Sequence, residues 1–374
     1  MTATNPTYPS NSSSPFPMPY SVAVGRILEP QPEECNTYLQ TTIIKGQVPS
    51  NLDYYSPQSD VETVYKACHG AGTDNKMLTK ALIKLGSEQM QVLQVAYKQQ
   101  RQKDIIALIE SETSGVYRTG LVLLVSGALR GDAYLLQQAL RQNQENMLAI
   151  FIELVVGRSK QDLATLREYV SAVNNINLDQ TILEALPKDN LALKQSFRKC
   201  LLEGVSTRGY DVEREVATLK KFFDSKTGEH YSDVLDIILD SPEAHLRSVA
   251  SAYKSKYYDV DLSAAIIRSS IDKATQKVLL YAVLSVEEDG EGLNRDARRI
   301  NAAIEERNEL LLTIRLVRAH WYLARFQRVI VASDFLRPGK GSLLIRVSSL
   351  TAGWHNRNLR KLLKGIIKVS APPS

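Results

Sequence analysis

The sequence is poor in the residues that most chemistry needs. Its 374 residues include five histidines, three cysteines and two tryptophans. Cys35, Cys68 and Cys200 are odd in number and scattered, which argues for a reducing compartment rather than a disulfide frame. His69, His230, His245, His320 and His355 never fall at a metal-ligand spacing such as His-x-x-x-His. No Gly-x-Ser-x-Gly elbow occurs. Gly339-Lys340-Gly341-Ser342 is only part of a phosphate loop: Asp334 stands where the earlier glycine belongs, and a glycine follows the lysine. No catalytic activity is expected. No apolar run reaches the roughly 18 residues that suggest a bilayer span. The start, Met1-Thr2-Ala3-Thr4-Asn5-Pro6, lacks the basic and apolar parts of a secretory signal, so a cytoplasmic location is expected.

What is present divides into two parts. Residues 1–58 hold nine of the 14 prolines, with tyrosines and serines between them, as in Pro15-Phe16-Pro17-Met18-Pro19-Tyr20. Such a stretch cannot sustain long helices and is too dilute in apolar residues for a core, so a disordered head is expected. Thr41-Thr42-Ile43-Ile44 is its one candidate docking segment. A functional tail and a passive linker both remain open.

From Asp60 onward the pattern is helical. Val61, Val64, Tyr65 and Cys68 form one helix face. A second helix carries Leu78, Ala81, Leu82 and Leu85, with Thr73 as its expected cap and Asp74 in its first turn. Gly86 then stops it, and Ser87 is the expected cap of a third helix with Met90, Leu93 and Tyr97. Asp104 opens a short fourth with Ile105, Leu108 and Ile109. The turn Ser114-Gly115 opens a fifth with Tyr117, Leu121, Leu124 and Val125. This order recurs. Helix starts are expected at Asp132, Asp211 and Asn294, at spacings of 72, 79 and 83 (132 − 60, 211 − 132, 294 − 211). Gly157-Arg158-Ser159 and Ser241-Pro242 repeat the stop-and-cap signal, and Tyr97, Tyr169 and Tyr253 sit late in the third helix of their units. Four similar helical units, each burying its apolar face on the next, explain the pattern.

The loop His69-Gly70-Ala71-Gly72-Thr73 and the glutamate of Ser111-Glu112-Thr113-Ser114-Gly115 lie 42 positions apart (112 − 70). Glycines let a backbone turn its carbonyls inward, and calcium takes about six to eight oxygens. The alternative is a plain helix stop and a solvated loop acid. The pairing resembles the annexin family, whose calcium loops read Gly-x-Gly-Thr followed about forty residues later by an acidic residue. The resemblance spans Asp60–Leu140 as one complete repeat, with weaker copies through about Lys368. It implies an all-α fold of four annexin-like repeats of about five helices each, in a curved disc, at 59–131, 132–209, 210–293 and 294–370. It implies calcium held by the carbonyls of Cys68, Gly70 and Gly72 and the carboxylate of Glu112, with water and a lipid phosphoryl oxygen completing the shell. With one carboxylate, affinity without lipid should be weak, roughly 10⁻⁵ to 10⁻³ M. The implied function is calcium-dependent binding to anionic phospholipid, with roles in membrane organisation or vesicle traffic. The head is a candidate contact for a protein partner.

Two positions depart from the family pattern: Asn75 replaces a frequent acid after Gly-Thr, and His69 a frequent basic residue. The other units lack the motif. The second has Arg141-Gln142-Asn143-Gln144-Glu145, with Asp189 as a leftover carboxylate. The third has Lys226-Thr227-Gly228-Glu229-His230, with Ser270 at the carboxylate position. The fourth has Glu305-Glu306-Arg307-Asn308, with Leu350 there. From Arg295 onward the chain holds 16 basic and 5 acidic residues, a net +11 against −6 for the remainder (5 − 11). Such a quarter suits an anionic surface, with Arg357, Arg360, Lys361, Lys364 and Lys368 on the last helix and Trp354 as a membrane-interface or core side chain. Solvated helix faces are the plain alternative. The runner-up function is a calcium-independent scaffold binding proteins, anionic lipid or nucleic acid through this basic quarter.

Overall fold

A computed structural model describes residues 55–70, 72–201, 209–225, 231–287, 291–352 and 357–371. Cys35, Thr41–Ile44, the loop 226–230, Trp354 and His355 lie outside the described residues. Among those described there are 19 helices and no strand. The first unit holds α1 (Gln58–Cys68), α2 (Asn75–Ile83), α3 (Ser87–Arg101), α4 (Ile105–Glu112) and the first half of α5 (Gly115–Ala139). The second takes the rest of α5 with α6 (Gln144–Val155), α7 (Lys160–Asn174), α8 (Leu178–Ala185) and α9 (Leu191–Leu201). The third holds α10 (Val212–Asp224), α11 (Tyr231–Leu239), α12 (Glu243–Lys256), α13 (Leu262–Arg268) and α14 (Lys273–Val283). The fourth holds α15 (Leu293–Glu305), α16 (Glu309–His320), α17 (Leu323–Phe335), α18 (Leu343–Ala352) and α19 (Arg357–Ser370).

Local chemistry sets the starts. Side chains of Asp104, Asn143, Ser159, Asn177, Asp211, Asp272 and Asn308 each accept backbone N–H bonds at a helix start. The expected apolar stripes are buried, including Val61, Val64, Leu82, Leu93, Tyr97 and Leu121. Three expected starts differ. Asp74, not Thr73, caps α2, because its carboxylate reaches the N–H groups of both Lys76 and Met77. Gly86 sits at the cap of α3, where Gln89 accepts its N–H and helix begins at Ser87. Asp132 starts nothing: Gly127, at φ 73 and ψ −176, breaks α5 and the second unit's first helix runs on from there. Asp132 is buried inside that helix. The apolar length of α5 does not make it a membrane span, since most of it is buried.

Packing joins the units in two pairs. In the first–fourth pair α19 lies on α2 and α16 lies on α5; in the second–third pair α14 lies on both α9 and α6. A buried ionic knot joins the second unit to the fourth. Glu153 of α6 receives Arg299 at 2.5 Å, Arg315 at 2.9 Å and Arg318 at 3.5 Å. Arg318 also meets Asp132 at 2.9 Å, and Arg158 meets Asp132 at 2.5 Å. Burial pushes the Glu153 carboxyl up, but the three guanidiniums overcome it and hold its pKa at about 2.

The knot corrects the reading of the basic quarter. Arg295 and Arg325 pair with Asp296, Arg328 with Glu291, Arg337 with Glu305 and Arg346 with Asp334. With Arg299, Arg315 and Arg318, at least half of its cations serve internal pairs among the described residues.

Glu153→Gln should leave three arginines without their carboxylate and cost about 3–5 kcal/mol, read by denaturant unfolding. A second expectation concerns His320, whose Nδ1 lies 2.9 Å from the Ser370 hydroxyl at the end of α19. Burial pushes its pKa down to about 4 from the usual 6.5. The unfolded chain therefore takes up this proton first, so stability should fall as pH drops from about 6.5 towards 4. His320→Leu should flatten thermal stability across that window; an unchanged profile would exclude this histidine as its cause.

Candidate metal site

The loop between α1 and α2 is built to turn its backbone. His69 leaves α1 extended, and Gly70 and Gly72 follow at φ 127 and 96, where only glycine is unstrained. A Cβ at either would meet nothing within 4 Å, so backbone conformation, not crowding, requires glycine. The Asp74 N–H donates to the Ala67 carbonyl at 2.7 Å and closes the loop over the end of α1.

Thr73 supplies the link that the sequence reading missed. Its hydroxyl donates to Glu112 Oε2 at 2.7 Å and stands 3.1 Å from the Glu112 carbonyl. The glycine loop and the end of α4, 39 residues apart, are thus joined through the carboxylate itself. The available signal was Asp74, a stronger cap than threonine when the two are adjacent, which leaves the Thr73 hydroxyl for another partner. The Tyr117 hydroxyl supports the same corner, donating to the Asn75 carbonyl at 3.1 Å and lying 2.8 Å from Thr79 Oγ1.

The structure brings the four expected residues together. Cys68 ends α1, Gly70 and Gly72 form the loop, and Glu112 ends α4 beside them. Burial pushes the Cys68 thiol up to about 11, and the nearby Glu112 carboxylate adds to the shift. Glu112 sits at the negative end of a helix dipole, and no lysine or arginine pairs with it among the described residues. A half-buried carboxylate so placed, joined through Thr73 to a glycine loop rich in backbone oxygens, fits a hard cation. No group of three or more His, Cys, Asp and Glu side chains that could hold a metal occurs among the described residues, so backbone oxygens would have to complete the shell.

The other units show why they are poor counterparts. The loop before α6 is residues 140–143 and that before α16 is residues 306–308, against 69–74 here. Both short loops end in a capping asparagine, Asn143 and Asn308. Asn308 also reaches across the units, its Nδ2 donating to Asn146 Oδ1 at 2.8 Å. Glu145 pairs with Lys277 at 3.0 Å. Asp189 precedes Asn190, which caps α9 and donates to Asp272 at 2.9 Å, with no glycine loop beside it. Ser270 carries no carboxylate, and Leu350 lies within α18 against the core.

A family model described as Annexin matches residues 59–124, the first unit. Annexin C1 of Cryptococcus neoformans var. grubii is 29% identical over 328 residues, spanning 85% of this chain and 67% of that protein. Annexin D5 of Arabidopsis thaliana is 25% identical over 203 residues, spanning 54% of this chain and 64% of that protein. Among solved structures, a mutant of annexin A8 with an intact N-terminus matches with a TM-score of 0.71 at 18% identity, over 86% of this chain and 97% of the other. Calcium-bound alpha-14 giardin matches with a TM-score of 0.68 at 12% identity, over 85% of this chain and 100% of the other. These structural likenesses establish a shared fold.

Thr73→Val keeps the side chain's shape but removes the bond to Glu112. It should weaken calcium binding by roughly tenfold or more, as losing an outer-shell partner does. Calorimetric titration of both proteins checks this, and equal affinities would remove Thr73 from the site.

Proposed function

Because this chain belongs to the annexin family, whose members generally bind calcium and phospholipid membranes, we propose that it binds anionic phospholipid in a calcium-dependent manner through its first unit. The observation that carries this reading is the Thr73-anchored Glu112 carboxylate, set beside the Gly70–Gly72 loop with no cationic partner among the described residues. The carbonyls of Cys68, Gly70 and Gly72 and the carboxylate of Glu112 are the proposed ligands. A calcium ion held there would supply positive charge to which a lipid phosphoryl oxygen could bind. The chain's part is to present its oxygens together: the glycines shape the loop and Thr73 fixes the carboxylate. Calcium-bound structures of alpha-14 giardin and of annexin (Sm)1 share the fold and support the choice of ion.

The protein is proposed to act without catalysis, at the cytoplasmic face of membranes, in their organisation or in vesicle traffic. Its described histidines have structural neighbours: His69 stacks on Tyr65, His245 meets Glu215 and His320 meets Ser370. One site forgoes most of the avidity that several weak sites on one face would give, so the membrane contact should be readily reversible.

Co-sedimentation with phosphatidylserine vesicles, with calcium and with chelator, tests the reading. Calcium-dependent sedimentation should be lost in Glu112→Ala. If calcium-dependent binding persists in that variant, or no calcium dependence exists, the first-unit site is not the membrane contact.

A further inference from the structure

The fold places two basic helices side by side although about 280 residues separate them in the chain (357 − 76 = 281). α2 and α19 pack against each other, and the contact is close: a Cβ on Gly365 would come within 2.6 Å of Ile83 Cδ1. The inward face of α19 is Leu359, Leu362, Leu363, Ile366 and Ile367, all buried. Its other face carries Arg357, Arg360, Lys361, Lys364 and Lys368. On α2, Leu78, Ala81 and Leu82 are buried, and Lys76 and Lys80 are exposed. Ile83 and Gly365 meet where the two helices pack. Together the two helices carry seven cations from two units away from their buried stripes.

This surface has no internal charge balance. Neither helix contains an acid within its length, Asp74 at the cap of α2 being occupied by two backbone N–H groups. None of the seven is in an ion pair among the described residues, in contrast to Lys84, which meets Asp60 at 2.7 Å. Lys76 and Lys80, Arg357 and Lys361, Arg360 and Lys364, and Lys364 and Lys368 each stand four residues apart, a spacing at which like charges destabilise a helix. Arg357 and Arg360 also oppose the dipole at the start of α19. Concentrated charge that costs stability fits an external anion.

We propose that this α2–α19 face is a second membrane contact, one that binds anionic lipid headgroups by charge alone and needs no calcium. Lipid fits it better than nucleic acid. Neither helix contains an aromatic residue on which a base could stack, and α2 begins at the loop proposed to meet the membrane. The face is independent of the Glu112 site, so each can fail without the other.

The test uses the full chain in chelator, where the calcium site is silent. Vesicles of phosphatidylserine in phosphatidylcholine should retain the protein at low salt and release it at high salt. Vesicles of phosphatidylcholine alone should not bind it. The triple variant Lys361→Gln, Lys364→Gln, Lys368→Gln should bind on the order of a hundredfold more weakly, from about 1 kcal/mol for each cation near an anionic leaflet. The same positions changed to arginine should keep binding, and so should Glu112→Ala. Thermal unfolding of the glutamine variant should match or exceed the parent, which separates lost charge from lost fold. Absence of chelator-resistant binding would overturn the proposal. So would equal binding by the glutamine variant, or release of the protein from vesicles by duplex RNA at matched phosphate concentration.

Discussion

A nearly buried carboxylate ties the second unit to the fourth. Glu153 lies at 7% exposure with three arginines around it, and each of those arginines comes from the fourth unit. Removing charges from water is expensive, so such a knot adds little net stability when whole and is costly when broken. Its value is geometric. The second and fourth units must meet with Glu153 opposite Arg299, Arg315 and Arg318, and Asp132 opposite Arg158 and Arg318. Other dockings of these helices would strand charge, and the two unit pairs are thereby locked into one arrangement.

That knot explains how a basic chain segment can be less basic on its surface than its composition implies. Among the described residues, at least half of the late cations face inward or reach across to a neighbouring acid. The remaining charge is concentrated, with α19 holding five cations and α2 adding two. Sequence counting treats all sixteen alike. Only packing separates the arginines that pair inside the fold from the lysines and arginines that face outward on the last helix.

Most of the helical order could be read from the chain. Periodic apolar residues and Asp, Asn or Ser caps locate the helices, because both signals act within a few residues. The first-unit loop could be read for the same reason, as Gly70 and Gly72 mark a backbone that no other residue adopts without strain. Three matters could not. Thr73 and Asp74 compete for one cap, and the winner decides whether the hydroxyl reaches Glu112. Asp132 looks like a helix start until Arg158 and Arg318 arrive from elsewhere in the fold. The poverty of the second and fourth loops shows partly as missing glycine, but their shortness appears only once the helix ends are known.

Gly127 has an effect on how this array can be divided. It turns the chain within one residue, and helix continues on both sides from Gly115 to Ala139. No loop separates the first unit from the second, so no exposed stretch offers a protease a clean cut or gene fusion a tolerant splice. A fragment ended near this point would bare one buried half of a continuous rod, with Leu123, Leu124 and Val125 on one side and Leu135 and Leu136 on the other. The units repeat in pattern, yet the first cannot be detached as a module, and its glycine loop and Glu112 come with the whole array or not at all.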